Sequence, residues 1–313
     1  MPGGPRACDL CGAPPRRQAP RWPEAAAASG AADYVTCLDC GLVFASPLPG
    51  DGDLSAFHRQ QYAGGNTPSR LQAMRPEWAE ERQYRAKYQE WARTWLAERA
   101  AARRGAAAAT VPCRMLEIGC AAGGMLLAAR DLGMAAVGVE VSAEAARFGR
   151  ATHGLDIRVG ELADLGLPAA AFGLVVLYDL IEHVQSPSAL LQECRRLTVP
   201  GGVMAIHTVN VDSATAERAG SDFYLADTGG GHATLFTAEH LSAFLRKAGF
   251  VPYSVHTHGY RIVQSEADRA RMGWRRRFVR LAENLGNAQV KRRGRGHFLA
   301  LDARAGAYNP EEL

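Results

Sequence analysis

The segment Leu116-Glu-Ile-Gly-Cys-Ala-Ala-Gly-Gly124 constrains the fold more than any other stretch of this chain. Before it, Arg114 to Ile118 has the length and apolar character of a buried strand, and after it Met125 to Leu132 has the apolar spacing of a helix. Between them Gly119, Ala121, Gly123 and Gly124 carry almost no side chain, so the turn can be tight and its backbone can approach a ligand closely. The alternation then repeats. Strands are expected at Ala135 to Glu140, around Ile157 and Val159, at Phe172 to Tyr178 and at Val203 to His207. Helices are expected at Ala143 to Thr152, with Ser142 as N-cap and Gly154 as stop, and at Ser188 to Leu197, ended by Pro200-Gly-Gly202. A further helix, Thr237 to Ala248, precedes strands at Val251 to His256 and His297 to Asp302. This order predicts an α/β domain, doubly wound and Rossmann-like, with a mostly parallel seven-stranded sheet and helices on both faces.

A glycine-rich turn does not by itself select a ligand, because dinucleotide-binding folds use one too. Two details speak against a dinucleotide. Glu117 stands two residues before the first glycine, where it would repel a pyrophosphate but can face a cation. Ala121 occupies the second glycine position of the G-x-G-x-x-G pattern. Glu140 ends the second strand, where a carboxylate can accept hydrogen bonds from both hydroxyls of a ribose.

Several ordered motifs carry a resemblance. They are Leu116-Glu-Ile-Gly-Cys-Ala-Ala-Gly123, Val137-Gly-Val-Glu140, Phe172-Gly-Leu-Val-Val-Leu-Tyr-Asp-Leu-Ile-Glu-His183, Leu190-Leu-Gln-Glu-Cys-Arg-Arg-Leu197 and Pro200-Gly-Gly202. Together they resemble the motifs of class I S-adenosylmethionine-dependent methyltransferases, over roughly residues 112 to 303. The resemblance implies that Glu117, Gly119, Ala121 and Gly123 surround the methionine part of the cofactor and that Glu140, with Val141 beside it, holds the ribose. It implies that Glu161 and Leu162 lie beside the adenine, although many relatives have Asp and a small residue there, and it adds Tyr178 to the cofactor set.

Methyl transfer from a sulfonium needs an aligned acceptor, a dry site and, for a hydroxyl or carbon acid, a base. The end of the fourth strand, Tyr178-Asp-Leu-Ile-Glu-His183, is where this fold presents such groups. His183 is a candidate base, its alternative being a pocket-shaping histidine. Asp179, Glu182 and His183 also resemble an acid-x-x-Glu-His pattern by which some relatives bind a divalent metal. His207 follows the fifth strand. His232 lies in Gly229-Gly-Gly-His232, which reads as a lid loop able to carry His232 to the acceptor, or as an exposed loop histidine.

Cys8-Asp-Leu-Cys11-Gly12 and Cys37-Leu-Asp-Cys40-Gly41 are two C-x-x-C knuckles roughly 25 residues apart. Such a pair reads as one structural Zn²⁺ site of four thiolates, closed to chemistry. Cys113, Cys120 and Cys194 read as core residues. The continuation Cys40-Gly-Leu-Val-Phe-Ala-Ser-Pro47 resembles the N-terminal zinc module of a bacterial methyltransferase group, some members of which act on sugars or other small biosynthetic intermediates. The expected organisation is a zinc-binding module at residues 1–60, a helical linker at 61–111 with Tyr84, Tyr88, Trp91 and Trp95 on one face, and the methyltransferase domain at 112–313.

The arginine-rich stretch from Arg269 to Arg280 and from Lys291 to Arg295 admits an RNA methyltransferase reading. A net charge of only +4 ranks that below a small-molecule acceptor in natural-product, sugar or glycan biosynthesis. A third reading is a non-catalytic zinc-ribbon binding protein. The longest apolar run is too short for a membrane helix and the N-terminus lacks a secretory pattern, which together predict a cytoplasmic protein without a membrane partner.

Overall fold

The computed structural model describes residues 7–14, 17–18, 34–45, 90, 93–94, 96–98, 114–219, 232–259, 286, 290 and 293–306. The aromatic face from Tyr84 to Trp95, Cys113, Gly229 to Gly231 and most of the arginine cluster lie outside those residues.

Three short strands come first: β1 (Arg17–Gln18), β2 (Tyr34–Cys37) and β3 (Val43–Ala45). The main sheet is built from β4 (Arg114–Ile118), β5 (Ala135–Glu140), β6 (Ile157–Val159), β7 (Phe172–Tyr178), β8 (Thr198–Val209), β10 (Phe250–His258) and β11 (Phe298–Ala305). Between β8 and β10 lies the two-residue β9 (Thr234–Leu235). The helices are α1 (Gly124–Asp131), α2 (Ala143–His153), α3 (Pro187–Leu197), α4 (Ala214–Ala219) and α5 (Ala238–Lys247). Serine or threonine starts three of them. Ser142, Ser186 and Thr237 each accept a hydrogen bond from a backbone N–H three residues on.

The seven strands are ordered β10-β11-β8-β7-β4-β5-β6. Only β11 runs antiparallel to its neighbours; every other pairing is parallel. Two successive excursions, outward from β4 to β6 and then back past β4 to β7 and β8, leave the carboxyl ends of β4 and β7 side by side at the point where the winding reverses. In doubly wound sheets the ligand crevice opens there. One expectation needs correction. Pro200-Gly-Gly202 does not end a helix as a separate turn but lies inside β8, because Gly201 adopts φ 73° and the β7–β8 register shifts between Phe172 and Leu174. The left-handed glycine absorbs the irregularity and lets the strand continue.

Side chains alternate across the sheet. On one face Met115, Val176 and Ala205 pack with Met125, Leu126 and Leu96. On the other, Leu116, Leu177 and Ile206 pack with Leu191 of α3 and with Leu241 and Phe244 of α5. Cys8, Cys37, Leu42 and Phe44 belong to that second cluster, so the cysteine-bearing segment shares the core of the main sheet. Its own sheet, ordered β1-β2-β3-β9, takes its fourth strand from the segment after β8. Cys120 and Cys194 are core residues, as expected.

Candidate functional site

The turn after β4 brings two acids together. Gly119 and Gly123 take φ 71° and 84°, conformations in which a side chain is strained, and Ala121 takes φ 50° despite its methyl group. This path aims the Ala121 N–H at Glu140, which accepts from it at 2.8 Å through Oε2 and from Ser142 N–H at 2.8 Å through Oε1. Glu140 is therefore fixed at the end of β5 by one backbone N–H on each oxygen. Burial raises its carboxyl above the usual carboxylate range, against the pull of the N–H groups of Ser142, Ala121 and Val141. Glu117 is equally buried, and its Oε2 has no hydrogen-bond partner among the described residues. Burial, together with the negative charge of Glu140, holds its carboxyl well above the usual range. A buried acid oxygen without a donor is costly, and a cation placed there would relieve it. Along the same crevice Val141 is half-buried, Leu162 is buried, and Glu161 is exposed at the start of a single helical turn.

Beyond β7 the residues are histidines. Tyr178 lies flat on His207, with ring centroids 4.3 Å apart, and Phe298 covers His207 at 5.0 Å. Asp179 takes φ 50°, a conformation Asp tolerates better than most residues, and this turns its carboxylate onto His207 Nδ1 at 2.7 Å. His207 Nε2 lies 3.1 Å from Nε2 of His258. Asp179 thus faces His207, and the expected grouping of Asp179 with Glu182 and His183 does not form. The chain is not helical through all three; only Ile181 to His183 make a helical turn. The third corner is instead His232. One ligand atom each from Glu182, His183 and His232 fall within 4.8 Å of one another.

His232 is not an exposed loop residue. It is buried, its ring meets the edge of His183 at 4.6 Å, and its carbonyl accepts from the Tyr34 hydroxyl at 2.8 Å. Ala233 carbonyl accepts from Ala45 N–H at 2.9 Å, and Ala233 N–H donates to the Glu182 carbonyl. Glu182 accepts a 2.8 Å bond from Thr208. The cysteine segment therefore reaches into this half of the site. The pairing of His207 with His258 was missed in the sequence because the two are 51 residues apart and no local spacing connects them.

In the N-terminal segment the two knuckles are copies of one another. Gly12 N–H donates to Cys8 carbonyl and Gly41 N–H to Cys37 carbonyl, with both glycines left-handed. Sulfur separations are 3.6 Å for Cys8 with Cys40 and 3.6 Å for Cys11 with Cys37, and all four sulfurs lie within 4.8 Å of one another. A tetrahedral Zn²⁺ with Zn–S near 2.3 Å requires about 3.8 Å between sulfurs, whereas a disulfide requires about 2.0 Å. The donor set suits the metal. Asp9 fastens the knuckle to α3, accepting from Ser186 Oγ at 2.9 Å and Ser188 N–H at 2.8 Å.

Residues 78–255, more than half of the chain, match the methyltransferase-domain family. The chain belongs to the class I methyltransferase family. Over 104 residues this methyltransferase is 31% identical to the ubiquinone biosynthesis O-methyltransferase of Xanthomonas oryzae, a match covering 31% of this chain and 43% of that protein. It is 34% identical over 97 residues to a probable S-adenosylmethionine-dependent methyltransferase of Mycolicibacterium smegmatis, covering 31% and 38% of the two chains. The methyltransferase thus spans less than half the length of either relative. It is also similar to the solved structure of a SAM dependent methyltransferase from Archaeoglobus fulgidus, at 17% identity and TM-score 0.48, covering 69% of this chain and 94% of that one. No helix among the described residues is long and apolar enough to cross a membrane.

Proposed function

We propose that this methyltransferase moves the methyl group of S-adenosylmethionine to a hydroxyl of a small-molecule acceptor, with one structural Zn²⁺ held by Cys8, Cys11, Cys37 and Cys40. The observation that carries the reading is the unpartnered, buried Oε2 of Glu117 beside the glycine turn. An ammonium group supplies the missing donor and the missing charge at once. In this reading Gly119, Ala121 and Gly123 border the methionine part, while Glu140, already oriented by two backbone N–H groups, accepts from the ribose with its remaining lone pairs. Val141 and Leu162 pack on the adenine, Glu161 borders it from the rim, and Tyr178 closes the methionine end.

When bound, S-adenosylmethionine supplies an electrophilic methyl group and a neutral thioether leaving group. The chain's own work is to orient the acceptor, exclude water and remove a proton. His183 and His232 border the acceptor from the side of the cysteine module. The relatives named as O-methyltransferases favour oxygen as the methylated atom. RNA is the weaker partner: of the arginine cluster, Arg295 is engaged within the protein, donating to Glu217 at 2.7 Å and to the Asp212 carbonyl at 3.3 Å.

Calorimetric titration with S-adenosylmethionine and S-adenosylhomocysteine tests the cofactor. Binding is expected to be saturable and to weaken about 100-fold in Glu140→Ala, the loss of two bonds to a charged acceptor. Failure of zinc-loaded, folded protein to bind either ligand leaves only a binding module. Labelled methyl transfer to phenols and sugar alcohols, run beside an RNA oligonucleotide, then separates the two acceptor classes.

A further inference from the structure

The four cysteines tie together two segments that end on opposite sides of the His183–His232 contact. On the first side Asp9, between Cys8 and Cys11, completes the start of α3. A helix leaves its first N–H groups without partners of its own. Pro187 has no N–H, Ala189 N–H donates to Ser186 Oγ at 3.2 Å, and Ser188 N–H donates to Asp9 Oδ2 at 2.8 Å. Asp9 therefore supplies an acceptor that the helix does not supply for itself, and its charge suits the positive end of the helix. Its Oδ1 also accepts from Ser186 Oγ at 2.9 Å, and its carbonyl accepts from Ser188 Oγ at 3.0 Å. Ser186 stands three residues after His183, so the first knuckle fixes the chain just beyond that ring.

On the second side Tyr34 and Ala45 are paired across β2 and β3. The Tyr34 hydroxyl donates to the His232 carbonyl at 2.8 Å, and Ala45 N–H donates to the next carbonyl, that of Ala233, at 2.9 Å. β2 ends at Cys37 in the second knuckle. Helix α5 backs both knuckles. His240 Nε2 donates to the Cys40 carbonyl at 3.0 Å. Lys247 Nζ, about 10 Å further along the helix, donates to the Leu10 carbonyl at 3.0 Å and to the Asp9 carbonyl at 3.3 Å. The 3.6 Å sulfur pairs, Cys8 with Cys40 and Cys11 with Cys37, run from one knuckle to the other. A continuous set of contacts thus leads from the start of α3 through the cysteines to His232.

Both histidines need outside support. His183 ends a helical turn of three residues, and His232 precedes the two-residue β9; elements this short do not hold their shape alone. We propose that Asp9 and Tyr34 are positioning residues, which hold His183 and His232 in edge contact as one wall of the crevice. Each acts through the histidine on its own side. The proposal rests on the methyltransferase reading only for what that wall faces, namely the acceptor.

The test is NMR of the imidazole C–H groups in the cofactor-free, zinc-loaded protein. With ring centroids 4.6 Å apart and edge-on, each ring lies in the ring current of the other, so these signals report the contact. Tyr34→Phe keeps a ring packed with Val43 and Leu235 and removes only the hydroxyl. It is expected to shift the His232 signals. Asp9→Asn keeps the shape and removes the charge, and is expected to shift those of His183. Both variants, loaded with Co²⁺ instead, are expected to keep the wild-type thiolate absorption. Signals left at their wild-type positions by either variant overturn the proposal, even if melting falls, because that is the mark of a structural role alone. A shift that appears only with loss of the thiolate absorption overturns it too. With 1,2-dihydroxybenzene as probe acceptor, each variant is expected to raise KM about two- to tenfold, the worth of one hydrogen bond, and to change kcat less. A fall confined to kcat counts against the wall. A wild type that binds no S-adenosylhomocysteine, or leaves the probe unmethylated, changes what the wall faces, and the ring signals still decide the positioning.

Discussion

The two halves of the crevice are assembled by different means. At the end of β4 and β5 the acids Glu117 and Glu140 come from one continuous strand-turn-helix-strand segment, and Glu140 is held by backbone N–H groups of that segment. At the end of β7 and β8 the histidines come from distant parts of the chain, and His232 is held through Tyr34 and Ala45 of the cysteine module. Local construction makes the first half tolerant of damage elsewhere. Long-range construction makes the second depend on every piece that packs against it. Cofactor affinity and acceptor turnover should therefore separate when the module is disturbed.

The largest expected effect is that of removing the zinc, by Cys37→Ser or by a chelator. A structural Zn²⁺ contributes on the order of 10 kcal/mol to a small module, comparable to the whole stability of a domain. Without it β2 and β3 keep their core contacts through Val43 and Phe44 but lose the crosslink through Cys37, and the Tyr34 bond to His232 is expected to loosen. Methyl transfer is expected to fall at least 100-fold while S-adenosylhomocysteine affinity stays within about tenfold, the most that one hydrogen bond to a neutral group accounts for. Elemental analysis should show one zinc per wild-type chain. Equal losses of affinity and turnover would erase the distinction between the halves.

Glu117→Gln gives a smaller effect, confined to the first half. Replacing a charged acceptor by a neutral one is expected to weaken S-adenosylmethionine binding about 10- to 100-fold. Stability should move the other way. Burial first, and Glu140 second, raise the Glu117 carboxyl well above its value of 4.5 in an unfolded chain. Between those two values the folded protein holds a proton that the unfolded chain has released, so stability falls as pH rises through that window. The substitution removes this loss, and the cofactor-free variant should melt higher than wild type above the window. Below pH 4.5 the two should converge. A variant that melts lower at neutral pH would show that Glu117 has a partner in the free protein.

The same contrast explains what was legible in the sequence. Strand and helix alternation, the Glu117 and Glu140 spacing and the two cysteine knuckles are local patterns, and the order β10-β11-β8-β7-β4-β5-β6 realises the sheet they imply. The sharing of β9 between the two sheets was not legible, because a two-residue strand leaves no periodicity. The acid-x-x-Glu-His resemblance groups Asp179 with Glu182 and His183; its positive φ, which no side-chain pattern announces, sends it to His207 instead. His258 is one of two histidines on an edge strand, where Ser254 with His256 forms a second, exposed pair at 2.8 Å. The register across β11 sets His256 level with His207, so it is the side-chain contact itself that identifies His258 as the partner.

The smallest expected effect tests how closely the first half is built. Ala121 adopts φ 50°, where an L side chain costs roughly 1–2 kcal/mol, while its N–H holds Glu140. Ala121→Gly relieves that strain but gives the unfolded chain more freedom, which offsets about 0.4–1 kcal/mol. The balance is a gain of a few tenths to about 1 kcal/mol, measurable as a rise in denaturant midpoint at unchanged slope. If the strain serves only to aim the N–H, glycine can aim it as well, and S-adenosylhomocysteine affinity should not change. A tenfold loss would mean that the methyl group itself touches the cofactor or stiffens the turn, and that the first half depends on packing as much as on its backbone bonds.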